Sequence, residues 1–226
     1  MEKPLFPSKY IRITQGYNEG THKSSYAIDN ADKDSGISNI YAPFTGIIKK
    51  IYTNDANEVW LESAEKVEYP DGTIDYMTVM FAHANDVSNL FVGKRITRGE
   101  SFYKEGTKGN VTGNHCHIEC GRGKFTGTGW HKNSSGYWSI NNAKKPEECF
   151  WIDDSIKVLS SKYSFKKISV PKEIVKEVKS EEKKEEKIID QKNTNTISTS
   201  NKIFIAPKAD LYGIYLRENQ KIIIEN

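Results

Sequence analysis

The segment Asn114-His115-Cys116-His117-Ile118-Glu119 puts two imidazoles one residue apart and a carboxylate two positions further on. If the segment is a strand, side chains alternate between faces, so His115, His117 and Glu119 share one side. Two histidines so placed can divide labour, one holding a metal ion and the other moving a proton. Histidine as a side-chain type suits both tasks, because it titrates near neutral pH and ligates divalent metals when neutral. Two ordinary hydrogen-bonded surface histidines would look the same, so this motif alone leaves both readings open. Further candidates lie upstream: His22 and Asp29 in Thr21-His22-Lys23-Ser24-Ser25-Tyr26-Ala27-Ile28-Asp29, and His83 at the end of Phe81-Ala82-His83. A turn holding His22 and a strand ending in Asp29 would present that pair, and a turn or cap role for Asp29 is the plain alternative.

The elements that must position these residues read as β structure. Tyr10–Thr14, Tyr41–Ala42, Gly46–Tyr52, Glu58–Ser63, Tyr76–Ala82 and His115–Cys120 are enriched in β-branched and aromatic residues. Asn18-Glu19-Gly20 and Pro70-Asp71-Gly72 carry turn chemistry, and the second predicts an antiparallel hairpin between 58–65 and 73–82. Few stretches have a 3.6-residue period, so helices should be short and peripheral, one of them near Val87–Phe91. The fold class expected is mainly β.

Composition shifts after Ser164. Lys172–Lys187 contains six lysines and six glutamates, with like charges four apart at Lys179/Lys183 and Glu181/Glu185. Those pairs disfavour an isolated helix. The reading is therefore a domain over 1–164, a charged and polar linker over 165–201, and a short C-terminal β segment over 202–226. The last has too few residues for its own core, and could be a truncated wall-binding or oligomerisation module.

The 226 residues carry a net charge of +3 with 28% charged and 36% hydrophobic residues, a globular balance with a polar appendage. No basic stripe with interleaved aromatics occurs, so no nucleic-acid partner is expected. The first residues, Met1 to Pro7, lack the apolar run of a secretory signal, and no apolar stretch reaches membrane-spanning length. The expectation is a chain made in the cytosol, without membrane insertion. Cys116, Cys120 and Cys149 are odd in number, and the first two lie about 13 Å apart on one strand, so no disulfide framework is implied. A structural Cys/His zinc site is the rival use of these residues, but one strand cannot wrap its ligands around an ion.

Read in order, the pieces become specific. Asp29 is followed by Tyr41-Ala42-Pro43-Phe44-Thr45-Gly46, Phe81-Ala82-His83, Val92-Gly93-Lys94 to Gly99-Glu100, Gly106-Thr107 and then Thr112-Gly113-Asn114-His115-Cys116-His117. This succession, over residues 10–164, resembles the lysostaphin/LytM-type zinc metalloendopeptidases, which cleave peptide bonds of bacterial peptidoglycan. The resemblance implies an antiparallel β-sheet peptidase domain of the duplicated hybrid motif type. It also implies one zinc ion held by His22, Asp29 and His117, with a fourth position for water. His115 then falls on the general base and His83 on a residue that orients water or stabilises the oxyanion. Glu119, on the same strand face as the two histidines, reads either as a carboxylate that orients one imidazole or as a simple exposed strand carboxylate.

Two positions depart from the usual pattern. The family commonly spaces its first ligands His-x-x-x-Asp, whereas three more residues intervene here, as in versions ending Tyr-Ala-Ile/Val-Asp. Cys116 stands where leucine is usual and should point into the sheet-packing layer. His131 has no counterpart. The Gly127–Trp138 segment reads either as a substrate-binding lip or as a packed loop with Trp138 and Trp151 in the core. The activity implied is that of a peptidoglycan endopeptidase, a phage endolysin or virion-associated lysin with the bacterial wall as partner. The alternative is a non-catalytic wall-binding or virion structural module of the same fold.

Overall fold

The computed structural model describes residues 1–168 and the two short strands Ile203–Ile205 and Lys221–Ile223. The chain divides into units Met1–Ser169 and Val170–Asn226. In the second, Ile203–Ile205 and Lys221–Ile223 pair in parallel. The linker read over 165–201 lies outside the described residues from 169 onward, and within its first residues Lys166–Lys167 pairs with Trp151–Ile152. No described helix is long and apolar enough to cross a membrane.

The first unit is built on one large sheet. Its strands run in the order Lys157–Ser160, Tyr10–Gln15, Ile28–Asn30, Cys116–Arg122, Met77–Ala82, Glu58–Ser63, Gly46–Tyr52 and Arg95–Ile96. Every pair is antiparallel except the one joining Tyr10–Gln15 to Lys157–Ser160. The expected hairpin is present: Glu58–Ser63 pairs with Met77–Ala82, and its tip turns at Gly72, whose φ of 85° only glycine adopts freely.

Both faces of the middle strands are covered, which is why Glu58–Ser63 and Met77–Ala82 are buried at every position. Period-two alternation sorts their side chains into two layers. Val59, Leu61, Val79, Phe81, Cys116, Ile118 and Cys120 join the main core on one face. Trp60, Met80 and Ala82 pack with Ile140 in a smaller cluster on the other. Cys116 is fully buried in the first layer, so it turns away from its histidine neighbours, and all three cysteines are free.

Two expectations are corrected. Val87–Phe91 forms no helix but a single turn closed by Leu90 N–H on Val87 O at 3.0 Å. So short an apolar stretch cannot repay helix nucleation, and Asp86 instead bonds the Ser88 backbone at 2.9 Å. The described helices are Gly20–His22 and Pro146–Cys149. Trp138 is not core: it is 56% exposed on the strand Trp138–Ile140, while Trp151 is 4% exposed.

Glu105, buried beside this sheet, makes a pH-dependent prediction. Its Oε2 accepts the Ser38 N–H at 3.1 Å while Oε1 has no partner, and burial pushes the carboxyl up to about 7. A raised acid binds its proton more tightly folded than unfolded, so stability is lost as pH rises from the ordinary carboxylate range through about 7. Glu105→Gln should therefore match the wild type near pH 4 and exceed it by about 1–3 kcal/mol at pH 8 in urea unfolding.

Candidate metal centre

Asp29, His117 and Glu119 sit on the sheet face opposite the main core, because their neighbours Ile28, Cys116 and Ile118 face it. The register sets His117 directly between Asp29 and Ala82 on the adjacent strands. His22 arrives from the 3-10 turn Gly20–His22 and is 3% exposed. His22, Asp29 and His117 thus offer three ligand atoms within 4.8 Å of one another.

The hydrogen bonds orient each ring. His22 Nδ1 lies 3.2 Å from Gly16 O, a contact that requires a proton on Nδ1 and leaves Nε2 facing Asp29 Oδ1 at 3.3 Å. His117 Nε2 lies 3.4 Å from Glu119 Oε1, and its Nδ1 faces the same Asp29 oxygen at 3.0 Å. Two imidazole nitrogens and a carboxylate oxygen so close are acceptors facing an acceptor unless a cation or proton lies between them. The protein's own electrostatics state the same demand. Burial alone would favour neutral His117, but hydrogen bonds to Asp29 and Glu119 prevail and raise it to about 10. Asp29 is likewise pushed up by burial, yet its bonds to His117 and His22 hold it far below the ordinary carboxylate range. Two nitrogens and one oxygen in this arrangement fit zinc with an open position.

His115 and His83 complete the cluster. His115 lies one residue before the strand Cys116–Arg122, bridged to Gly106. Its Nδ1 is 2.8 Å from Gly113 O and its Nε2 is 3.6 Å from Asp29 Oδ1. His83 follows the strand Met77–Ala82 with φ of 84°, a left-handed conformation that costs a non-glycine residue of order 1 kcal/mol or more. That conformation is held from several sides. His83 N–H donates to Ala56 O at 2.7 Å, His83 Nδ1 to Lys108 O at 2.8 Å, and the Tyr103 hydroxyl accepts the next N–H, of Ala84, at 2.9 Å. Burial and the charge of His117 push His83 down to about 4, so it is neutral at pH 7 with Nε2 as an acceptor. The rings of His83 and His115 lie 4.7 Å apart.

Gly106 is what lets these two histidines meet. A Cβ there would fall 2.4 Å from His83 O and 2.7 Å from Asn85 N, both backbone atoms that cannot swing aside. Gly106→Ala should displace His83 and His115 together and lower activity at least tenfold, with zinc content unchanged by atomic absorption.

Glu119 is 3% exposed, not a solvent-facing carboxylate; Ser139 Oγ donates to its Oε2 at 2.7 Å and Ile140 N–H at 3.1 Å. These bonds leave Oε1 for His117. His131 lies away from the cluster on the exposed strand Trp130–Lys132, its Nδ1 3.3 Å from Asn141 Oδ1. The strained backbone at His83 and the anchoring of Glu119 by Ser139 carried no signal in the sequence.

No family model matches the chain. Morphogenesis protein 1 of Bacillus phage B103 is 34% identical over 115 residues, 50% of this chain and 30% of that protein, so the chain spans under a third of this relative's length. Among solved structures, the catalytic domain of lysostaphin from Staphylococcus simulans is 18% identical with a TM-score of 0.40, covering 60% of this chain and 89% of that one. The SpoIIQ–SpoIIIAH pore-forming complex is 18% identical with a TM-score of 0.43, covering 66% and 92%. The motifs ordered along the sequence build a His-Asp-His group beside one face of a mainly β sheet, as their resemblance to the lysostaphin/LytM-type peptidases implies, and over half its length the chain is similar to a phage morphogenesis protein.

Proposed function

We propose that the protein is a zinc-dependent endopeptidase that hydrolyses peptide bonds of bacterial peptidoglycan as a phage lysin, acting after release from the host or as part of a virion. The observation that carries this reading is the convergence of three imidazoles, His22, His115 and His117, on the Asp29 carboxylate, with the His83 ring 4.7 Å from that of His115 and each of the four rings held from behind by an acceptor. His22, Asp29 and His117 would hold one zinc ion. When bound, such an ion supplies Lewis acidity and a water of lowered pKa.

The chain's own groups divide the proton work. His115, tethered at Nδ1, presents Nε2 as the basic atom; it takes a proton from the attacking water and passes it to the leaving amine. His83, pushed to about 4, is too weak a base for that task. As a neutral ring with its proton on Nδ1, it accepts a hydrogen bond at Nε2, which suits orienting water better than donating to an oxyanion. Glu119 holds the His117 ring so that Nδ1 faces Asp29.

Purified cell walls provide the test. Zinc-loaded protein should lower their turbidity, o-phenanthroline should stop the loss, and added zinc should restore it. Tight wall binding with undiminished turbidity under every condition would instead assign the chain to a non-catalytic wall-binding or virion structural role. The homology to a phage morphogenesis protein supports the phage setting.

A further inference from the structure

A cavity of about 320 Å³ opens beside the triad on the same sheet face, bordered by His117. At roughly 30 Å³ per water it has room for about ten, enough for an aminoalkyl chain. Asp55, Glu58 and Glu119 supply its carboxylates, Trp130 and Trp138 supply aromatic wall, and no lysine or arginine lines it among the described residues. Glu119 is fully occupied by His117, Ser139 and Ile140, whereas Glu58 is not. Glu58 is 7% exposed, and its Oε2 has no hydrogen-bond partner. An unpaired buried carboxylate oxygen has lost its water without a replacement, so its retention asks for a donor from outside the protein.

The register places this acceptor relative to the reacting centre. His117 pairs with Ala82 and Val59 with Phe81, so Glu58 continues the row Asp29, His117, Ala82 across the sheet. Two strand spacings put its backbone about 10 Å from that of His117. Lys50, whose ammonium feels the Glu58 charge, gives that ammonium to Thr128 O at 2.6 Å and lies 4.2 Å from the Trp130 ring centre, making no ion pair with Glu58. Burial pushes the Glu58 carboxyl up and Asp55 adds to it, outweighing the lowering effect of the Glu58 and Ala56 backbone N–H groups and of His117.

We propose that this cavity is a subsite for a primary ammonium group of the substrate, with Glu58 as its counter-ion, Asp55 assisting and the tryptophan faces enclosing it. The proposal rests on the endopeptidase reading and adds a substrate class: a peptide with a free amine close to the scissile bond. Two sources share this chemistry, the side chain of a diamino acid in the stem peptide and the amino terminus of a short bridge peptide.

Binding separates this claim from turnover. Calorimetric titration of zinc-loaded protein would use Nα-acetyl-L-Lys-D-Ala-D-Ala against its Nα,Nε-diacetyl form, and triglycine against N-acetyltriglycine. The expected result is at least tenfold tighter binding of the free amine in one pair, lost in Glu58→Gln and reduced severalfold in Asp55→Asn, a substitution at an exposed site that leaves folding intact. The pair showing the preference identifies the source. Equal binding of both members of both pairs, or a preference unchanged in Asp55→Asn and Glu58→Gln alike, would overturn the proposal. If the amine preference holds while walls remain intact, the subsite stands and the hydrolase reading fails.

Discussion

Exchange of His115 for alanine is expected to leave about one zinc per chain in place and to slow wall hydrolysis by about 10²–10⁴-fold, the usual worth of a positioned general base. The ring is 13% exposed and its Nε2 is 3.6 Å from Asp29 Oδ1, beside the triad but not among its three ligand atoms. Its Nδ1 is tied to Gly113 O in a local turn, so the ring can be removed without unpinning His22 or His117. Zinc by atomic absorption and turbidity loss, measured on the same preparation, check the two halves. A variant that clears walls at the wild-type rate would remove His115 from the base role and throw the proton transfer onto another group.

His117→Ala should have the opposite signature, losing zinc first and activity as a consequence. His117 is the centre of the arrangement: its Nδ1 is 3.0 Å from Asp29 and its Nε2 is held by Glu119. Removal leaves His22 and Asp29, two ligands where a catalytic zinc site needs three. It also leaves Asp29 and Glu119 without the imidazole that holds both carboxyl groups low. Zinc content should fall from about one per chain towards zero after gel filtration, with hydrolysis below detection. Glu119→Gln should be milder, weakening zinc binding by about 10–100-fold, since the ligand remains and only its orientation loosens. Retention of a full zinc in His117→Ala would break the ligand assignment.

That His22, Asp29 and His117 would meet was carried by the resemblance their ordered motifs bear to the lysostaphin/LytM-type peptidases, while local conformation gave only which side chains share a strand face. A β-rich Cys116–Arg122 run alternates His117 and Glu119 against Ile118 and Cys120, and alternation alone decides which side chains share a face. The Glu58–Ser63 and Met77–Ala82 hairpin was legible for the same reason, with Pro70-Asp71-Gly72 marking its turn. What depends on packing between distant segments was not. Whether Trp138 is exposed depends on what the strand Trp138–Ile140 meets, and among the described residues it pairs only with Trp130–Lys132. The unpaired Glu58 oxygen and the left-handed backbone at His83 are likewise properties of an assembled neighbourhood. The turn at Val87–Leu90 shows the reverse failure, where a local apolar spacing suggested a helix that Asp86 and the shortness of the stretch forbid.

The most direct test is chemical analysis of the fragments released when zinc-loaded protein is incubated with purified peptidoglycan of known structure. New amino groups should appear in step with solubilised stem peptides, each cut adding one water to the fragment masses and no new reducing sugar ends. Chelation should stop the release and zinc should restore it. Recovery of every stem peptide intact from zinc-loaded protein, or new reducing ends in place of amino groups, would contradict the assignment of a zinc endopeptidase.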